Sequence, residues 1–383
     1  MSACPQHTSP ESQSIYKVAI VAPTCFYYQI PLFRMLAAHA RIELTVYFCS
    51  EGGLYEGEVP EMYKTKSPWG VEGELVEGYE FKFLRNYSPI NSYRNRLGLV
   101  NPSIWNELRK NRPDVVVFTF WMNPTWWVGV LACLWFRIPS FYMTDTNLQV
   151  ERAKGRWQAL AKKILLGKGL FRLSSGFLCS GEANRQLFRH WGVPEEKLVP
   201  FAYSWGYQAL LQGSDELKLQ KQQMKAQLGI PDGAYVILFC GRLSKEKRPM
   251  DLLEAYRRVS SPHKALIFVG DGELRPLLQD FVDSHSLDSV SLFGFQDRRE
   301  IPRFYAISDV LVLPSSRETW GMVVNEAMCF GLPVVVSDQV GAASDLVMHG
   351  KNGFIFPVGD VEALANNIKQ LMELSEEERS AMG

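Results

Sequence analysis

The stretch from Asp309 to Val336 constrains the fold most. An apolar run, Asp309-Val310-Leu311-Val312-Leu313, ends in Pro314-Ser315-Ser316. Gly321 then opens a helical pattern through Met322, Val323, Glu326 and Met328, and after Gly331-Leu332-Pro333 a second apolar run, Val334-Val335-Val336, begins. The order reads as strand, loop, helix, strand. In a parallel α/β sheet this sets Glu318 at the carboxyl end of a strand, where such folds bind ligands, and Gly321 at a helix N-terminus whose free N–H groups can meet a phosphate or a sugar hydroxyl. Glu326 follows Glu318 by eight residues, so the two carboxylates can flank one small polar ligand. The plainer alternative is two solvated glutamates on a helix face. It fits poorly with Glu326, which sits among Met322, Val323, Val324, Ala327 and Met328.

The same rhythm extends both ways. Strands are expected near 234–240, 265–269, 290–293, 309–313, 333–336 and 353–356, separated by helical patterns. Upstream, Ile15–Ala22, Ile42–Cys49, Val115–Phe120, a run ending at Thr144-Asp145, Gly176–Ser180 and Lys197–Pro200 read as further strands. The fold class is α/β with two Rossmann-like, doubly wound domains. A polar lead-in over 1–14 precedes a first domain over 15–205, a Gln/Lys-rich linker over 206–230 and a second domain over 231–383. Residues 50–80 are Gly- and Glu-rich and read as an irregular loop.

Charge and cysteine usage bound the partners. Net charge is zero, yet Phe81 to Arg172 holds fifteen Lys and Arg against four acids, a net +11 that the rest of the chain balances. A basic first domain suits an anionic acceptor or membrane surface. The helical, basic and amphipathic stretch 152–172 is the expected contact with anionic lipid, a packed helix with a solvated cationic face being the alternative. Seven scattered cysteines read as buried thiols of a reducing compartment, so the expected location is cytoplasmic, at most peripheral at the inner membrane face. Val115 to Phe136 runs 22 residues without a charge, but Asn123-Pro124-Thr125 divides it into a strand and a short helix of about a dozen residues.

Two loops carry further candidates. Gly241-Arg242-Leu243-Ser244-Lys245-Glu246-Lys247 follows the first strand of the second domain. Arg242 can form paired hydrogen bonds to a phosphate and Lys247 adds a second cation, with a charged surface loop as the alternative. Gly270-Asp271-Gly272 is by itself only a tight turn. No Asp-x-Asp pair and no histidine spacing suggests a metal site, and no Gly-x-Gly-x-x-Gly opens either domain.

The segment Pro314-Ser315-Ser316-Arg317-Glu318-Thr319-Trp320-Gly321 through Glu326-Ala327-Met328, Gly331 and Pro333-Val334-Val335 resembles the E-x7-E region of family-4 retaining glycosyltransferases. The resemblance is strong from Pro231 to Pro357 and weak in the first domain. It implies a GT-B fold, two doubly wound domains facing across a cleft, and transfer of a sugar from a nucleotide-sugar to a hydroxyl acceptor with retention at the anomeric carbon, without a metal cofactor. Gly241-Arg242-Leu243 with Lys247 is similar to the family's G-R-L-x-x-x-K motif. By resemblance Arg242 and Lys247 neutralise the diphosphate, Glu318 holds donor sugar hydroxyls and Glu326 the ribose. The N–H groups of Gly321 and Met322, with Val323 beside them, face the phosphate. Gly270 and Gly272 resemble the family's G-x-G turn, Phe295 lies in the base-bracketing segment, and Gly341 opens a stretch that departs from the family at Ala342 and Asp345.

Asp145 stands where relatives commonly carry a histidine; it orients or deprotonates the acceptor, or caps the helix after it. The first loop carries aromatics in place of glycines. Relatives run on into a further C-terminal helix, so a chain ending at Gly383 is expected to hinge more freely. The expected acceptor is a glycan or a lipid-linked glycan, with no nucleic acid. A nucleotide-sugar epimerase and a non-catalytic nucleotide-sugar-binding protein are the alternatives on the same fold.

Overall fold

The computed structural model describes residues 14–51, 75–90, 92–93, 95–149, 171–201 and 207–383. The expected lead-in, most of the 50–80 loop and nearly all of the basic stretch 152–172 lie outside the described residues.

One sheet has seven strands: β1 (Tyr16–Ala22), β2 (Ile42–Phe48), β3 (Glu80–Phe83), β4 (Val115–Phe118), β5 (Ser140–Thr144), β6 (Gly176–Cys179) and β7 (Leu198–Pro200). Their order is β3-β2-β1-β4-β5-β6-β7. β1 runs parallel to β2 from Tyr16 opposite Ile42 to Ala22 opposite Phe48, and parallel to β4 on its other side. The chain therefore winds outward from β1 in one direction and then in the other, with the switch between β1 and β4. β3 is a finding beyond the sequence reading. It is a four-residue edge strand with no buried residue, and the packing of Phe81 and Phe83 on Phe48 marks it better than its own pattern does.

The uncharged run 115–136 is indeed split. After β4, the Asn123 side chain accepts a hydrogen bond from the Trp126 N–H at 2.9 Å and starts the helix Pro124–Phe136, which Arg137 ends in a left-handed conformation. No described helix is long and apolar enough to cross a membrane.

The second sheet has six strands: β8 (Tyr235–Cys240), β9 (Lys264–Val269), β10 (Val290–Gly294), β11 (Val310–Leu313), β12 (Val334–Ser337) and β13 (Gly353–Phe356). All lie within about a residue of the positions expected from the apolar runs. The order is β10-β9-β8-β11-β12-β13 and every pair is parallel. β8, β11 and β12 are buried along their whole length, as strands covered on both faces must be. Phe239, Phe268, Val312, Tyr256, Leu364 and Ile368 belong to the core around it. Residues 208–227 form two helices, Gln208–Leu219 and Lys221–Gln227, which pack against helix Ile301–Ile307. There the buried Lys225 ammonium donates to the Ala234 carbonyl at 2.9 Å.

Candidate functional site

Because the strands of the second sheet all point one way, the loops after β8, β9, β10, β11 and β12 emerge along one edge. The winding reverses between β8 and β11, and a doubly wound sheet leaves its crevice there, since neighbouring loops are led to opposite faces. Arg242 and Lys247 come from the loop after β8 and Glu318 from the loop after β11. The structure thus puts all the candidate residues of this domain on the carboxyl edge, with the charged ones at the switch.

The two loops are joined there. The Lys247 ammonium is in ion-pair contact with Glu318, both side chains being largely buried. Next to it the Glu246 carbonyl accepts hydrogen bonds from the Ser316 N–H at 2.7 Å and the Ser316 hydroxyl at 3.1 Å, and Arg317 reaches the Glu246 carboxylate at 3.0 Å. Burial pushes the Lys247 ammonium down to about 8, with Cys240 and Glu246 pulling it back up. The Glu318 carboxylate in contact works in the same upward direction. Arg242 is more open, 3.7 Å from the Glu273 carboxylate. An exposed pair at that distance holds it weakly and leaves the guanidinium available.

The helix Met322–Cys329 starts at Gly321, which is left-handed (φ 97°) and brings no side-chain cap. The N–H groups of the first turn, including those of Met322 and Val323, are therefore without a capping side chain, a helix end of the kind that suits an anion. Glu326 lies one turn further on. Its carboxylate accepts a hydrogen bond from the Tyr305 hydroxyl at 2.7 Å. Burial raises the Glu326 carboxyl above the ordinary range, and the Tyr305 bond opposes that shift. Glu318 and Glu326 thus have separate partners.

The glycine positions bring backbone close to backbone. Gly270, at φ 134°, sits so near the Gly241 carbonyl that a Cβ would collide with it, whereas the space around the Cα of Gly241 is open. Gly272 lies similarly against the Leu243 carbonyl and Gly341 against that of Thr319. Gly341 also donates to the Glu318 carbonyl at 3.2 Å, which ties the loop after β12 to the one after β11. Phe295 stands just beyond β10, at the sheet's edge and two strands from β8, and is 39% exposed. Asp145 follows β5 on the seven-stranded sheet, and burial raises its carboxyl.

Tyr305 is a site residue that sequence reasoning missed, since no spacing ties a residue of helix Ile301–Ile307 to Glu326. The available signal was chemical: a tyrosine in an apolar helix has to place its hydroxyl on something. Cys240, directly before Gly241, is buried, and its thiol is pushed up to about 12, so it forms a wall of the site and not a nucleophile. Among the described residues no cluster of His, Cys, Asp and Glu could hold a metal ion.

Two doubly wound parallel sheets of seven and six strands define a GT-B fold. The chain belongs to the group 1 glycosyltransferases. That family, described as glycosyl transferases group 1, matches residues 220–383, and an uncharacterized glycosyltransferase of Methanocaldococcus jannaschii is 33% identical over 306 residues, 74% of this chain and 76% of the relative. The alpha-monoglucosyldiacylglycerol synthase of Acholeplasma laidlawii is 36% identical over 237 residues, 57% of each chain. The crystal structure of Anabaena HepE in complex with UDP superposes with a TM-score of 0.71 at 19% identity, covering 96% of this chain and 92% of the other, a likeness of fold. The chain spans about half the length of several curated relatives it matches.

Proposed function

We propose that the protein transfers a sugar from a nucleotide-sugar donor to a hydroxyl of a glycan or lipid-linked glycan, with retention at the anomeric carbon. The observation that carries this reading is the ion pair of Lys247 with Glu318 at the switch between β8 and β11, with Arg242 on the same loop as Lys247, beside a helix N-terminus without a side-chain cap. Cations and N–H groups suit a diphosphate, and a carboxylate beside them suits sugar hydroxyls. Glu326, steadied by Tyr305, is the natural partner for a ribose diol.

In the proposed reaction the acceptor oxygen forms a bond to the anomeric carbon on the face from which the diphosphate departs. The bond from that carbon to the phosphate oxygen breaks, its electron pair goes to the diphosphate, and the acceptor proton passes to a phosphate oxygen. Arg242 and Lys247 stabilise the charge that builds there. These side chains and the helix end carry the phosphate charge in this reading without a divalent ion. The relative named for a glucosylated diacylglycerol supports a lipid-type acceptor, and the neighbour's UDP complex makes UDP the first nucleotide to try.

Calorimetric titration of UDP-, GDP- and ADP-sugars into wild type, Glu326→Ala and Arg242→Ala tests the reading. One nucleotide series should bind and both substitutions should weaken it. Turnover of the bound donor without any acceptor would favour an epimerase, and binding with no turnover under any acceptor a non-catalytic binder. Absence of binding at millimolar concentration would remove the basis of the proposal.

A further inference from the structure

The helix Pro124–Phe136 carries no charged residue. One side of it is core: Trp126, Val130, Ala132 and Cys133 are buried, and Trp126 packs edge-on against Tyr142 of β5 with ring centroids 5.7 Å apart. Its other side is exposed among the described residues. Leu131, Leu134 and Trp135, spaced as one helical stripe, are exposed by 54%, 39% and 76%. Trp105, from the neighbouring helix Ile104–Asn111, continues the stripe, its ring 6.4 Å from that of Trp135 and 5.2 Å from Phe136. A tryptophan this exposed beside two leucines is unusual for a protein surface that meets only water.

Cations border the stripe. Arg109 and Lys110 are exposed at the end of helix Ile104–Asn111, the Arg112 guanidinium lies over the Phe136 ring at 5.4 Å, and Arg137 is exposed at the end of helix Pro124–Phe136. The nearby acids are already engaged: Glu107 pairs with Lys82 at 2.6 Å, and Asp114 accepts the Lys17 N–H at 2.8 Å.

We propose that the face formed by Leu131, Leu134, Trp135 and Trp105, with Arg109, Lys110, Arg112 and Arg137 around it, docks on an anionic phospholipid bilayer. Charge decides between the possible occupants. A second copy seated on this face would bring its own four cations against these four, whereas an anionic headgroup layer supplies the opposite sign. Tryptophan and arginine both suit the boundary between headgroups and acyl chains, where an apolar body and a polar end are satisfied together. A helix of 13 residues is about 20 Å long, too short to span a hydrocarbon layer of about 30 Å, so it would lie in the interface plane. The inference stands apart from the transfer reaction, since a bilayer could be met this way whatever the acceptor.

Co-sedimentation of the full chain with large vesicles tests it, comparing phosphatidylcholine alone with phosphatidylcholine containing roughly one third phosphatidylglycerol. Wild type should partition onto the anionic vesicles and not the neutral ones, and added salt should release it. Leu131→Ser with Trp135→Ser, and separately Arg109→Gln with Arg137→Gln, should each reduce partitioning at least tenfold. All four side chains are exposed, and the charge pair leaves every apolar contact in place, so one set of variants remains readable if the other misfolds. Failure of wild type to bind anionic vesicles would overturn the proposal, as would binding unaffected by either pair of substitutions. A concentration-dependent dimer that Trp135→Ser dissociates would overturn it in favour of a protein interface.

Discussion

The Tyr305 hydroxyl donates to the Glu326 carboxylate at 2.7 Å from a ring that is itself buried and stacked on Phe330, centroids 5.6 Å apart. The ring is fixed by packing, so the hydroxyl holds Glu326 in one orientation. Tyr305→Phe keeps the ring and removes that bond, together with the hydroxyl's hydrogen bond to the Cys240 thiol. A hydrogen bond to a charged group is worth ~1.5 kcal/mol or more, so donor affinity should fall roughly tenfold while far-UV circular dichroism is unchanged. Calorimetry on the purified variant checks this.

Glu326 itself should trade stability for binding. Its carboxyl is raised above the ordinary 4.5 by burial, so the native state holds this proton more tightly than the unfolded chain does. The group therefore lowers stability above its raised value, and the penalty is relieved as pH falls toward 4.5. Glu326→Gln, which can still accept from Tyr305, should raise Tm at pH 7 by roughly 1–3 °C while weakening donor binding. The gain should shrink at acid pH, as thermal melts at pH 5 and pH 7 would reveal.

On the proposed reading, Lys247 should set a pH limit on phosphate binding. Its ammonium, lowered by burial from 10.5 to about 8, is the form that attracts a diphosphate, so affinity should be steady below pH 8 and decline as pH rises through it. The native state binds fewer protons than the unfolded chain between 8 and 10.5, so this group's contribution to stability rises over that interval. Lys247→Met should remove the inflection from a plot of nucleotide affinity against pH. Glu318→Gln, which takes away the adjacent carboxylate, should move it to lower pH.

Glu318→Gln should also separate nucleotide from sugar. With the ion pair gone Lys247 is free for phosphate, so affinity for the bare nucleoside diphosphate should be kept or improved. Loss of a charged hydrogen-bonding group at the sugar should cost ~1.5–3 kcal/mol, roughly 10- to 100-fold in kcat/KM. Equal losses for the diphosphate and the sugar nucleotide would contradict the role assigned to Glu318.

Gly270→Ala places a Cβ against the Gly241 carbonyl at a φ that L-residues rarely adopt. Backbone strain of that kind costs ~1–3 kcal/mol before the collision is counted, so the variant should lose several degrees in Tm or fail to fold. Chemical denaturation beside wild type measures it.

The second sheet was legible residue by residue because its strands are short, apolar and β-branched and are punctuated by Gly and Pro, a pattern that burial on both faces imposes. The apolar runs predict strands near 333–336 and 234–240, and the structure places them at Val334–Ser337 and Tyr235–Cys240. The edge strand Glu80–Phe83 was not, because an edge position half exposed to water does not require a distinct pattern. In the site, the candidates that follow strands of the second sheet could be read because a doubly wound fold sends the loops after its strands to one edge. What could not be read was pairing. Lys247 with Glu318 and Tyr305 with Glu326 join residues 71 and 21 positions apart, and only the packing of one element on another decides such partners.

The most direct test of the donor site at the β8–β11 switch is backbone hydrogen exchange with and without UDP, GDP or ADP at saturation. The nucleotide that binds should slow exchange at Gly241–Lys247 and at Gly321–Glu326 together, the two segments that the switch brings to one crevice. Protection confined to other segments, or no change with any of the three, would contradict the account.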